Sequence, residues 1–212
     1  MKIPNLKIKV CGMRDEENIR QIVALRPDYI GFILYPGSKR YVGDDFSLTI
    51  SIPDVVQKTG VFVNELIPEV FRWINRLNLD LIQLHGEESP EYCTELSNMD
   101  VKVIKAFGID EKFDFSSLEA YESCCDYFLF DTKSDLYGGT GKQFNWNLLE
   151  DYNYDIPLFL SGGIGPDDDE IIQHHSRIAN IHGIDINSRF EISPGIKNPA
   201  ALKAFFHKLR SN

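Results

Sequence analysis

Apolar residues alternate with lysines along Leu6-Lys7-Ile8-Lys9-Val10, the two-residue period of a strand. Gly12 ends it, and helix-forming residues follow from Asp15. Ile19, Ile22 and Val23 recur at helical spacing within 16–25, and Pro27-Asp28 stops that helix. Residues 29–35 form a near-continuous apolar run, as in a strand buried on both faces of a parallel sheet. A glycine-containing basic loop follows over 36–42. The chain then loses any clear period up to Gln57, with Pro53 interrupting a helix. Further strands are expected over 59–64, 79–86, 101–108, 127–132, 156–161 and 180–186. Helices are expected over 66–77, 90–96, 116–121, 146–149, 167–174 and 198–210.

Eight strands alternating with helical segments place the chain in the α/β class, as a single (β/α)8 TIM barrel over residues 1–212 with about 26 residues per unit. The rival doubly wound sheet usually carries a dinucleotide fingerprint after its first strand, and Cys11-Gly12-Met13-Arg14 is not one. In a barrel the C-terminal strand ends share one mouth. That rule gathers Cys11, Arg40, Asn64, His85, Lys105, Asp131, Gly162, Gly163 and Asp185 there. A thiol on strand one and a carboxyl on strand six lie across the axis, which suits an isomerase that removes a proton with one group and donates one with the other. Structural roles compete at several positions. Cys11 reads equally as a small core residue, Asn64 and Asp131 as loop caps, His85 as a satisfied buried histidine, and Lys105 as a solvated strand end.

Backbone N–H groups after strands seven and eight form the usual phosphate site of this architecture. Here they belong to Ser161-Gly162-Gly163-Ile164 and to Asp185-Ile186-Asn187-Ser188-Arg189. Gly138-Gly139-Thr140-Gly141 adds a third loop able to approach an anion closely.

Composition narrows the partners. The formal net charge is -10 and no basic run is present, which argues against nucleic acid and against an anionic membrane surface. The N-terminus lacks a signal-peptide core and no apolar run is long enough to span a bilayer, so a cytoplasmic protein is expected. Cys93, Cys124 and Cys125 lack zinc or thioredoxin spacing and read as reduced packing residues. Asp167-Asp168-Asp169-Glu170 lacks metal-loop spacing and reads as a solvated helix start.

From end to end the chain carries Lys9-Val10-Cys11-Gly12, Gly31-Phe32, Ser38-Lys39-Arg40-Tyr41, Gly60-Val61-Phe62-Val63-Asn64 and Gln83-Leu84-His85-Gly86. Asp131-Thr132, Gly138-Gly139-Thr140-Gly141, Ser161-Gly162-Gly163-Ile164 and Ser193-Pro194-Gly195-Ile196-Lys197 complete the series. In this order and combination they resemble the phosphoribosylanthranilate isomerase family of tryptophan-pathway barrels. The resemblance implies an Amadori rearrangement of a small phosphoribosyl substrate with no cofactor and no metal. It implies Asp131 as general acid, Cys11 as general base and Arg40 as the grip on the anthranilate carboxylate. His85 and Asp185 match active-site positions, and Gly139, Gly141, Gly162, Gly163, Asn187 and Ser188 match substrate-binding loops. A thiol acting as base near neutrality is expected to have its pKa lowered by cations or a helix N-terminus. Asn187-Ser188-Arg189 departs from the family's more usual two serines and glycine, and Asn198 stands where aspartate is common. Monomer, homodimer and association with neighbouring pathway enzymes all remain open. The competing readings are another phosphosugar isomerase or epimerase barrel, and a non-catalytic phosphosugar-binding barrel.

Overall fold

A computed structural model describes residues 6–133, 143–176 and 179–211. The strands are β1 (Lys7–Val10), β2 (Tyr29–Ile33), β3 (Gln57–Phe62), β4 (Leu81–Leu84), β5 (Lys102–Ile109), β6 (Tyr127–Thr132), β7 (Leu158–Leu160) and β8 (Ile181–Ile186). Each pairs in parallel with the next, and β8 returns to β1 through Lys9 opposite Asp185 to close a barrel. Alternate strand residues face opposite sides, so the core divides in two. Tyr29, Leu81, Ile104, Ala106, Tyr127, Leu129 and Phe159 pack against one another inside the barrel. Ile8, Val10, Phe32, Phe62, Phe128 and Phe130 belong to the larger outer cluster, which the helices cover.

The helices are α1 (Glu16–Val23), α2 (Ile67–Leu77), α3 (Pro90–Ser97), α4 (Asp169–His175) and α5 (Pro199–Ser211). Asp15 caps α1 by accepting from the Asn18 amide at 2.8 Å, and Ser89 caps α3 by accepting from the Tyr92 amide. After β5 and β6 the expected helices are 3-10 turns, Phe115–Tyr121 and Trp146–Asp151. Residues 34–56 contain no helix. Instead the chain meets β2 again through a parallel bridge of Tyr41 to Ile33, where the Val42 amide donates to the Ile33 carbonyl and the Phe46 ring packs on Phe32. Among the described residues, no helix is long and apolar enough to cross a membrane.

One element was absent from the sequence reading. After β8 a 3-10 turn (Ser188–Phe190) leads into an antiparallel hairpin of β9 (Glu191–Ser193) and β10 (Ile196–Lys197). Asn18 of α1 pins it as a neighbouring strand would: its Oδ1 accepts from the Lys197 amide at 2.7 Å and its Nδ2 donates to the Lys197 carbonyl at 2.9 Å. The hairpin delivers Glu191 and Lys197 to the barrel mouth.

Candidate active site

Cys11 follows β1 on the inward face, and its thiol is buried. Gly31, beside it on β2, has no room for a side chain: an added Cβ would lie 2.8 Å from the Cys11 sulfur and 3.3 Å from Lys9 Nζ. Lys9, fully buried below the thiol, donates to Asp185 Oδ2 at 2.9 Å and to Gln83 Oε1 at 2.8 Å. Burial alone would discharge this lysine, but Asp185 and Cys11 raise its pKa and keep it an ammonium. Lys197 is buried on the far side, bonded to Glu191 Oε1 at 2.7 Å and to Asn187 Oδ1. Cys11 therefore has two cations near it, as expected. Its pKa is nonetheless raised rather than lowered: burial outweighs Lys9 and Lys197, and Asp185 adds to the upward push. The expectation of a lowered thiol is corrected on that ground.

Opposite, Asp131 ends β6 with its Oδ1 accepting from the Thr132 amide at 2.7 Å. Burial raises its pKa to about 6, against that hydrogen bond, with Asp185 adding repulsion. His85 lies between the two halves. Its Nε2 is 3.6 Å from Asp131 Oδ2, and its Nδ1 is 2.9 Å from Gln83 Nε2. The proton position on this ring follows from Lys9. An ammonium only donates, so Gln83 must turn its oxygen to Lys9 and its NH2 to His85. Nδ1 then accepts, and the neutral ring carries its proton on Nε2, facing Asp131. Burial, Lys105 and Lys9 lower the His85 pKa to about 4, so the ring is neutral across the physiological range.

The thiol, the carboxyl, His85, Asp185, Gly162, Gly163, Asn187 and Ser188 line one open cavity at the barrel mouth. Asp185 Oδ1 is buried there with no hydrogen-bond partner among the described residues. Gly162 has φ +90°, and a Cβ on it would lie 2.5 Å from Thr132 Oγ1 and 3.1 Å from Asp131 Oδ1, so only glycine brings this loop against the acid. Among the described residues, the backbone N–H groups of Gly162, Gly163 and Asn187 have no protein acceptor. Two loops thus present anion-binding donors at the rim.

The chain matches the model of one family, described as N-(5'phosphoribosyl)anthranilate (PRA) isomerase, over residues 8–208. It is 45% identical over 207 residues to the N-(5'-phosphoribosyl)anthranilate isomerase of Parabacteroides distasonis, with 95% of this chain and 92% of the relative covered. The chain belongs to the phosphoribosylanthranilate isomerase family. The crystal structure of phosphoribosyl anthranilate isomerase from Thermotoga maritima superposes with a TM-score of 0.84 at 31% identity, covering 98% of this chain and all of that one. A phosphoribosyl anthranilate isomerase crystallised with reduced 1-(o-carboxyphenylamino)-1-deoxyribulose 5-phosphate gives a TM-score of 0.77 at 28% identity, covering 98% and 100% of the two chains.

In this phosphoribosylanthranilate isomerase, three of the residues gathered at the mouth are not among those lining the cavity. The Arg40 guanidinium is partly committed: its Nε and Nη2 make a bidentate pair with the Glu191 carboxylate at 2.7–3.1 Å. Lys105 is no solvated strand end. It is buried, donating to Glu88 Oε2 at 3.0 Å and to the Gly86 carbonyl at 2.7 Å. Asn64 is a turn residue at φ +49°, its Oδ1 accepting from the Glu87 amide and its own amide donating to Glu88. Gly139 and Gly141 lie outside the described residues. The sequence reading missed Lys9, Gln83, Glu191 and Lys197. The available signals were the mouthward position of Lys9, two residues before Cys11, and the Pro194-Gly195 turn between them.

Proposed function

We propose that this isomerase converts N-(5'-phosphoribosyl)anthranilate to 1-(2-carboxyphenylamino)-1-deoxyribulose 5-phosphate, with Asp131 as general acid and Cys11 as general base. The observation that carries the reading is one cavity holding both groups, the carboxyl at a pKa of about 6, together with rim amides that have no acceptor among the described residues. A carboxyl raised toward neutrality keeps a useful protonated fraction and still transfers its proton readily.

Asp131 gives its proton to the ribose ring oxygen. The ring C–O bond breaks and the anthranilate nitrogen lone pair forms the C=N bond of a Schiff base. Cys11, as thiolate, removes the proton from the adjacent sugar carbon. Those electrons form the enolamine, which tautomerises to the ketone. Lys9 and Lys197 offset the thiolate charge, and the Nε2–H of His85 faces the Asp131 carboxylate left after proton transfer. Asp185 Oδ1 accepts from a sugar hydroxyl. Gly162, Gly163, Asn187 and Ser188 hold the phosphate, and Arg40 takes the anthranilate carboxylate with its remaining guanidinium edge. The relative crystallised with reduced 1-(o-carboxyphenylamino)-1-deoxyribulose 5-phosphate supports the substrate class.

Loss of substrate fluorescence on adding the protein tests the reading. The wild type should consume the substrate quickly, and Cys11→Ser and Asp131→Asn should be nearly inactive. An inactive wild type rejects the substrate, whereas an active variant rejects that residue's role.

A further inference from the structure

Three cysteines that the chemistry above leaves unused converge on the outside of the barrel. Cys93 projects from α3, and Cys124 and Cys125 lie in the turn before β6. Their sulfurs all lie within 4.8 Å of one another, and Cys124 Sγ is 3.9 Å from Cys125 Sγ. None of the three lines the mouth cavity.

We propose that Cys93, Cys124 and Cys125 form a three-thiolate site for a soft monovalent cation of the copper(I) class. The spacing fits: a trigonal site with metal–sulfur bonds of about 2.3 Å has sulfurs about 4.0 Å apart. One edge already has that length, and the others need only a small side-chain adjustment. The donor set selects the ion. Thiolates prefer soft metals, and zinc requires a fourth ligand. Glu88, the carboxylate whose charge acts on Cys93, is committed to Lys105 and to the amides of Asn64 and Gly86. Among the described residues the metal-competent group consists of the three cysteines alone. Each thiol that ligates releases its proton to solvent, and no electron changes hands. All three cysteines are buried, with Cys125 at 7% the least enclosed.

The test uses the reduced full chain, titrated anaerobically with copper(I) in competition with a copper(I) chelator. Bound and free samples are then alkylated and mapped by mass spectrometry. The expected result is one ion per chain, with Cys93, Cys124 and Cys125 shielded together and Cys11 alkylated as in the free protein. Cys11→Ser should bind unchanged. Cys125→Ala should bind at least tenfold more weakly while keeping isomerase activity, which shows that it is folded. The proposal is overturned if the chelator strips all copper, if shielding falls only on Cys11, or if Cys125→Ala binds as the wild type does. Zinc held as tightly as copper would overturn the three-coordinate assignment. The shielding map needs no variant and decides the matter even if Cys125→Ala misfolds.

Discussion

Glu191 holds the Arg40 guanidinium from below, accepting from Nε at 2.8 Å and from Nη2 at 2.7 Å. The same carboxylate accepts from Lys197, so two cations share one anion beside the thiol. Breaking a buried pair by removing one partner typically costs about 3–5 kcal/mol. Glu191→Ala should therefore lower stability by roughly that amount, read in urea unfolding. Arg40→Lys keeps the charge but loses the planar fork, so KM should rise at least tenfold with kcat much less affected. A fall in kcat at constant KM would place Arg40 in the chemical step instead of in binding.

Asp131 carries a second expectation. Its pKa is raised to about 6 in the folded protein, from an ordinary value of 3.8. Between those values the folded state binds more protons, so the carboxyl's contribution to stability falls as pH rises and is least favourable above pH 6. Asp131→Asn removes that buried charge. It should stabilise the protein at pH 8 by on the order of 1–3 kcal/mol while abolishing activity, and the gain should vanish toward pH 4. Thermal melts of both proteins across pH supply the comparison; a destabilised variant at pH 8 would contradict the assigned pKa.

Activity should depend on pH in an unusual order. The proposed mechanism needs Asp131 protonated and Cys11 ionised, yet Asp131 has the lower pKa and the thiol is raised above its ordinary value. The fraction in that form climbs with pH until Asp131 begins to lose its proton at about 6. It then stays level, and falls only above the thiol pKa. A plot of kcat/KM against pH should show a break near 6 and a broad plateau extending past neutrality. A profile still climbing steeply from pH 7 to 9 would mean that the acid is another group.

Gln83 fixes the tautomer of His85 only because Lys9 takes its oxygen. Gln83→Leu should remove that constraint and leave both partners short of a hydrogen bond. The nitrogen chemical shifts of the imidazole should then report a mixture of tautomers, and kcat should fall several-fold. Unchanged shifts would show that some other contact sets the ring.

Much of this was legible in the chain and some was not, for reasons that can be named. The apolar run ending in Asp-Thr leaves little choice but a strand over 127–132, which are the bounds of β6. The alternation in Lys7-Ile8-Lys9-Val10 was equally clear, but it does not say which face meets water. In this barrel the helices cover Ile8 and Val10, so Lys9 points inward, where it meets Asp185 and Gln83. Cys11, His85, Asp131, Asp185 and the two glycines after β7 were recoverable because strand ends converge by topology alone. The pairing of Arg40 with Glu191 spans |i−j|=151, and no local pattern foretells it. The helix expected around 116–121 is a tighter turn, and residues 43–56 give no period because they form no helix.

The grip of Asn18 on both sides of the Lys197 peptide links the first helix to the hairpin beyond the last strand. These two pieces flank the seam where β8 meets β1, the one strand junction of the barrel whose partners are far apart in sequence. A single amide side chain thus serves as a clasp over that seam. The seam and the floor beneath the thiol should therefore open together, because Lys9 and Asp185 face each other across it and Lys197 hangs from the clasp. In this barrel, holding the circle shut and keeping cations beside the thiol are one and the same task.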